Sequence, residues 1–371
     1  MFYIILSIIV LIVIVAFLFV NFYPSFGGDV ADKNLEVYTN STQFEDGRFR
    51  NVDKNAPKDL SLGEMLKLAF TFFTTKVENG KPEQDLKVEK IDSLSIANYK
   101  SEARLIWYGH SAFLLQMKEK NILLDPMLGA VAAPHPWLGD KRFNKELPLE
   151  IEKLPKIDAV VISHDHYDHL DYESIQKLKS KVAKYIVPLG VGLHLEAWGI
   201  PKKQITELDW WQDISYEGLK FICTPAQHFS GRKLGKNQTT LWSSWVIQSS
   251  SENIFFSGDG GYAPHFKEIG DKFGPFDIAM LECGQYNEKW ADIHCMPEET
   301  AIAGIDLKAK KIMPIHWGGF KLALHSWKDP IERVSKKAKE LDLPLVAPKI
   351  GEPLIVKDST TTYTDWWDKL N

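Results

Sequence analysis

Six consecutive residues, His164-Asp165-His166-Tyr167-Asp168-His169, follow the apolar run Ile157-Asp158-Ala159-Val160-Val161-Ile162-Ser163 and put three imidazoles and two carboxylates where a β-strand should end. Such a cluster is costly to hold together unless a cation organises it. Neutral imidazole and carboxylate are ligands that suit divalent zinc and its neighbours. His164 and His166 are two positions apart, so on an extended backbone they point to one side. Asp168 and His169 fall a turn later, where they can face a second ion. The run therefore reads as half of a two-metal site, and Asp165 and Tyr167 alternate away from it as loop-packing residues.

Three later segments repeat one local design, an apolar strand ending in a potential ligand. Lys220 to Thr224 leads to His228, Ile254 to Ser257 leads to Asp259 between Gly258 and Gly260, and Lys311 to Ile315 leads to His316. Each ligand would lie at the C-terminal end of a strand, where α/β folds assemble their sites. A lone strand-end histidine is more often structural. The value of these three lies in their occurring with the clustered run.

Strands are expected at 103–108, 112–117, 121–124, 156–163, 184–187, 219–224, 243–248, 253–257, 277–282 and 311–315, with helices at 172–180, 297–305 and 330–341. Strands interleaved with helices argue for a layered α/β architecture. Between Asn21 and about Lys100 the chain is polar and broken by Pro and Gly, as a connector wrapping the main domain would be. One exception is 61–73, where Ser61 and Glu64 make a capping box and Leu62, Met65, Leu66, Ala69, Phe70 and Phe73 recur at helical spacing. That helix is expected to pack on the core, with contact to lipid as the alternative.

Phe2 to Val20 contain no charge, proline or glycine, and nineteen helical residues reach about 28 Å, close to the bilayer core of roughly 30 Å. A single transmembrane anchor is the first expectation and a cleaved signal peptide the second. The signal alternative is weakened by the lack of Lys or Arg before the apolar run and of a clear A-x-A site. Lys33, the nearest cation that follows, places the C-terminal part in the cytoplasm. The formal net charge of −5 offers no basic footprint, so nucleic acid is not an expected partner. Cys223, Cys283 and Cys295 are too few and too scattered for a disulfide framework.

The order His164-x-His166-x-Asp168-His169, then His228, Asp259 and His316, resembles the metallo-β-lactamase superfamily over about Ser101 to Lys357. Further segments, including Tyr108-Gly109-His110-Ser111, Leu124-Asp125-Pro126-Met127, Thr224-Pro225-Ala226-Gln227-His228 and His316-Trp317-Gly318, are similar to its N-acyl-phosphatidylethanolamine-hydrolysing phospholipase D branch. Phe26-Gly27-Gly28 and Asp46-Gly47-Arg48-Phe49-Arg50-Asn51 resemble the N-terminal extension of that branch's bacterial relatives. The branch is similar in turn to ascorbate-6-phosphate lactonase-like proteins.

The resemblance implies an αββα sandwich with a dinuclear metal site at one edge. The chain would divide into an anchor (2–20), a wrapping extension (21–100), a catalytic domain (101–357) and a tail (358–371). His164, His166 and His228 would hold one ion and Asp168, His169 and His316 the other, with Asp259 bridging. Zinc is the first choice, with manganese or iron as alternatives, and water activated between the ions would hydrolyse a phosphodiester of N-acyl-phosphatidylethanolamine or a related phospholipid. Asp168, Asp259 and His294 are the candidate catalytic residues, His294 as substrate binder or proton donor. His110, Gln285 and Tyr286 are further candidate substrate-binding residues, although Leu281 to Tyr286 departs from the animal phospholipase, which bears on lipid specificity. Asp125 and Asp277 are candidate partners for ligating imidazoles. Alternative functions are a tethered lactonase or small phosphoester hydrolase, and a catalytically silent metal-binding membrane protein. The expected partners are a phospholipid or phosphoester and the membrane; oligomeric state is open, a homodimer included.

Overall fold

The structure, a computed structural model, describes residues 1–29, 32–53, 63, 67, 70–72, 74–233, 237–361, 363 and 365–370. Most of the helix expected over 61–73 lies outside the described residues, although Lys67 and Phe70 to Phe72 are helical.

The first half of the sandwich is built from β3 (Arg104–Trp107), β4 (Phe113–Met117), β5 (Lys120–Leu124), β6 (Ile157–Val161), β7 (Val182–Pro188) and β8 (Ile205–Leu208). It begins as an antiparallel meander and becomes parallel from β5 onward, with α4 (Tyr172–Leu178) crossing from β6 to β7 and α5 (Gly192–Ala197) from β7 to β8. The second half repeats this plan. Strands β9 (Asp213–Tyr216), β10 (Leu219–Thr224), β11 (Ser244–Gln248) and β12 (Asn253–Phe256) form a meander, and β13 (Ile278–Glu282) and β14 (Ile312–Ile315) then add in parallel. Helices α6 (His265–Phe273) and α7 (Pro297–Asp306) make those crossovers, and α8 (Asp329–Glu340) packs against α7. Finally β15 (Pro353–Ile355) returns to pair with β3, giving a seven-stranded sheet in the order β15-β3-β4-β5-β6-β7-β8 facing a six-stranded one in the order β14-β13-β12-β11-β10-β9.

Side-chain alternation makes the layers. In β3, Leu105 and Trp107 enter the core that the six-stranded sheet shares, whereas Ile106 and, just after the strand, Tyr108 join a second core with Ile175, Leu195 and Trp198 of the α4 and α5 region. Strands covered on both faces read as near-continuous apolar runs, and β4 and β13 are buried throughout. The sequence therefore shows the strands well and misses what is short or amphipathic. The strands β8, β9 and β15 and the helices α5 and α6 were not expected.

Ahead of the sandwich come α1 (Phe2–Phe22), α2 (Asp32–Thr39), the hairpin β1 (Phe44–Glu45) and β2 (Arg48–Phe49), and α3 (Ser93–Ala97). Helix α1 is long and apolar enough to cross a membrane, and none of its residues is buried. The segment after it clings to the sandwich through Leu86 N donating to Phe143 O (2.9 Å) and Glu89 N donating to Ile350 O (2.8 Å).

Candidate metal centre

The parallel strands of both halves release their polar residues at one edge of the sandwich. Asp125 follows β5, His164 to His169 follow β6, Asp259 follows β12, Glu282 ends β13 and His316 follows β14, while His228 comes four residues after β10. The turns that aim them are tight. His110, Asp125 and His316 all have positive φ, at 55°, 39° and 65°, a region that non-glycine residues occupy mainly where the surroundings impose it. At Gly258 (φ 57°) a Cβ would stand 2.5 Å from the Ser163 Cβ, so a side chain there would displace the ligand loop.

One group of nitrogens converges. His164 Nε2 lies 2.9 Å and His228 Nε2 3.2 Å from His166 Nδ1. The tautomers follow from the other ring nitrogens. His228 Nδ1 donates to Ile293 O (2.9 Å), and Ser163 Oγ, which gives its proton to Asp125 Oδ2 (2.5 Å), accepts from His164 Nδ1 (2.9 Å). Both Nε2 atoms are therefore lone pairs aimed at one point. Burial, reinforced by the neighbouring imidazoles, holds His164 and His228 well below the usual histidine range, and burial also lowers His166. Neutral, buried, converging lone pairs repel one another and suit a cation.

A second group adjoins it. His169 donates from Nδ1 to Asp125 Oδ2 (2.7 Å), which leaves Nε2 facing Asp259 Oδ2 at 3.0 Å. His316 Nδ1 lies 3.1 Å from Asp259 Oδ1, and His110 Nε2 donates to Asp168 Oδ2 (2.8 Å). Burial opposes charge on His169, but Asp259, Asp168 and Asp125 together lift it well above its usual value; Asp168 is held well below its own, against burial, by His169 and His110. The buried His169 Nε2 and Asp259 Oδ1 have no hydrogen-bond partner. Those orphaned atoms, beside a donor set of imidazole nitrogen and carboxylate oxygen, fit a divalent metal.

Asp259 joins the two groups, because its Oδ2 also lies 3.9 Å from His164 Nε2 and 4.0 Å from His228 Nε2. His294 stands at the seam, its ring 5.1 Å from that of His228 and 5.4 Å from that of His316. Its Nδ1 is 2.7 Å from Oε1 of the buried Glu282. Burial raises Glu282 to about 7 even though His294 opposes the rise; Glu282 in turn, with Asp259, raises His294 against burial.

The seven expected ligands are therefore brought together, and Asp125 takes the supporting place expected of it. Four other expectations are corrected. Asp277 lies at the far end of β13, where it pairs with Lys310 (2.8 Å) and accepts from Asn253 N (2.9 Å). His110, expected to meet substrate, is fully buried and spends its Nε2 on Asp168. Gln285 donates to Phe320 O (3.0 Å) and accepts from Leu322 N (2.8 Å), so its amide is consumed by backbone. Tyr286 is buried, stacked on His325 at 4.4 Å with Arg333 on its hydroxyl.

Sequence reasoning passed over three residues. Glu282 is a carboxylate at a strand end, the same signal that marked Asp259. Asn51 accepts from His228 N (3.0 Å) and Trp242 Nε1 (2.9 Å) and donates to His228 O (2.7 Å), clamping the ligand's backbone. Arg232, buried, donates to the carbonyls of Asp165 (2.5 Å), Leu170 (2.7 Å) and Ser25 (2.6 Å). Next to His316, Trp317 is stacked on Trp366 (5.6 Å) and Trp327 (6.4 Å), so the tail packs against the residue that follows this ligand candidate.

Two mixed sheets with a buried His and Asp cluster at their edge define a metal-dependent hydrolase. The description "Beta-lactamase superfamily domain" matches residues 120–317. A protein of Mycobacterium tuberculosis of unassigned role is 37% identical over 333 residues, 88% of this chain and 87% of the relative. The N-acyl-phosphatidylethanolamine-hydrolyzing phospholipase D 1 of Caenorhabditis elegans is 29% identical over 281 residues, 71% of this chain and 79% of that one. Among solved structures, the metallo hydrolase Igni18 of Ignicoccus hospitalis superposes with a TM-score of 0.53 at 20% identity, covering 68% of this chain and 98% of that one. The chain belongs to the β-lactamase superfamily and has the metallo-β-lactamase fold.

Proposed function

We propose that the chain is a membrane-anchored, dinuclear-metal phosphodiesterase that cleaves N-acyl-phosphatidylethanolamine or a related phospholipid. The observation that carries this reading is the placement of Asp259, whose carboxylate touches the His169 and His316 nitrogens and reaches toward His164 and His228. One carboxylate shared by two ligand groups is what a two-ion site requires. His164, His166 and His228 would hold one ion, and Asp168, His169 and His316 the other. Bound zinc would supply water with a pKa near 7 and neutralise charge growing on phosphoryl oxygens.

The chain's own residues do the rest. Asp125 and Asn51 fix the His169 ring and the His228 backbone, so both imidazoles are positioned before any ligand arrives. Glu282 orients His294 through Nδ1, leaving Nε2 to hold the proton that the departing oxygen takes. The lipid substrate is supported by the C. elegans relative and by α1, an apolar helix with no buried residue.

The test is incubation of full-length protein, reconstituted with zinc, manganese or iron, with vesicles containing N-acyl-phosphatidylethanolamine, followed by mass spectrometry. Phosphatidic acid and N-acylethanolamine should form and should cease on chelation. Turnover of soluble lactones or phosphoesters alone would establish the tethered lactonase or small-ester alternative. Metal retained with no turnover of any of these would establish the silent one.

A further inference from the structure

The loop between β5 and β6 ends in an apolar tip that the sandwich does not cover. Trp137 is 90% exposed and Leu138 61%, although the tip is firmly built. Its stem is closed by the Val131 to Lys141 bridge and by Arg142 N donating to Ala130 O (2.9 Å). Leu138 N donates to His135 O (2.9 Å) across the tip. A large aromatic held out in water by an ordered turn calls for a partner.

The neighbouring element indicates which. The His135 ring stands 4.8 Å from Trp137 on one side, and 6.2 Å from Phe19 and 5.4 Å from Tyr23 on the other. Ser25 Oγ donates to Pro134 O (2.6 Å), fixing the loop to the chain as it leaves α1. Trp137 and Leu138 therefore emerge beside the C-terminal end of a 21-residue apolar helix that carries no charged side chain. At 1.5 Å per residue that helix spans about 31 Å, the thickness of a bilayer core, so Tyr23 falls at the level where Tyr and Trp favour the membrane interface.

We propose that the 131–139 loop is a second lipid contact, seated in the same interface where α1 ends. The contact bears on the metal centre because the exit of α1 is locked to the ligand loop. Trp198 Nε1 donates to Pro24 O (2.7 Å), Arg232 joins Ser25 O to Asp165 O and Leu170 O, and Phe26 meets Tyr167 edge-on at 6.4 Å. Gly27 fits flush against α5, where a Cβ would come 2.1 Å from His194 Nδ1. Two lipid contacts, helix and loop, fix an orientation that a single tether leaves free, and they hold the 164–169 rim against the bilayer surface. The inference rests on the membrane-anchor part of the proposed function.

The three cysteines are buried, so Leu138→Cys adds the one accessible thiol among the described residues and can carry an environment-sensitive nitrobenzoxadiazole label. Full-length protein would be reconstituted into vesicles of phosphatidylethanolamine and phosphatidylglycerol, with Lys336→Cys on α8 as the reference position. The label at 138 should shift to the blue, lose most of its emission to brominated lipid and resist aqueous iodide, whereas the label at 336 should do the opposite. Trp137→Cys repeats the measurement should Leu138→Cys fold poorly. Protein that fails to float with the vesicles overturns the anchor reading and this inference with it. Protein that floats with a label at 138 as open to iodide as that at 336 overturns the loop contact alone.

Discussion

Asp125→Asn tests whether the metal centre depends on a carboxylate outside the ligand set. Asp125 is fully buried and accepts three hydrogen bonds, from Ser163 N (2.7 Å), Ser163 Oγ (2.5 Å) and His169 Nδ1 (2.7 Å). An asparagine can still accept from Ser163 N, but its NH2 then faces Ser163 Oγ and His169 Nδ1, two atoms that were donating. The His169 proton is driven to Nε2, the nitrogen 3.0 Å from Asp259 that would otherwise meet the metal. Losing such an outer partner costs about 10- to 100-fold in metal affinity, or about 1.4 to 2.7 kcal/mol. The shape change is small, so the metal-free variant should melt cooperatively near the parent. The assay is chelator competition with metal content counted per chain, alongside thermal unfolding of the stripped protein. Ser163→Ala, which leaves the Asp125 to His169 bond in place, should lose less. If Asp125→Asn folds and binds metal as tightly as the parent, the tautomer argument is wrong.

Two further predictions concern titration. Glu282→Gln removes the carboxylate that raises His294, so the alkaline limb of the kcat/KM profile should move to lower pH while metal content stays constant; an unmoved limb would separate His294 from proton transfer. If His294 is the proton donor proposed above, His294→Gln should itself cost about 10²- to 10⁴-fold in kcat on the proposed phosphodiester, the usual worth of a general acid. Burial pushes His265 down to about 3, far below its unfolded value, so the unfolded chain takes up a proton first and stability falls as pH drops below about 6.5. Between pH 7 and pH 5 this histidine should account for about 2 kcal/mol of lost stability, and His265→Gln should remove that share from the urea midpoints of the stripped protein.

The sequence is most legible where one residue type meets one strict pattern. Histidines and aspartates at the ends of apolar strands reveal His164, His166, Asp168, His169, His228, Asp259 and His316, because the strand carries its own signal and the ligand breaks it. Gln285 misleads for a physical reason. A polar residue beside a strand end can as well serve backbone, and its amide goes to Phe320 O and Leu322 N. Asn51 and Arg232 act across 177 and 207 residues of sequence, on His228 and Ser25, and no local spacing encodes contacts so distant. Elements such as β8, with its half-buried Ile205-Thr206-Glu207, lack both the apolar run and the clean alternation that would mark a strand.

The pile of tryptophans behind His316 sets an order of events during synthesis. Helix α1 and the ligand loop at 164–169 leave the ribosome before residues 353–367, so Trp317 finds its Trp366 and Trp367 neighbours, and β3 its outer partner β15, only after those later residues have been made. Chains fold as they emerge, N-terminal parts first. If α1 is the anchor proposed above, a nascent chain would be tethered before the His316 turn gains these neighbours, and the candidate metal centre would be completed beside the bilayer.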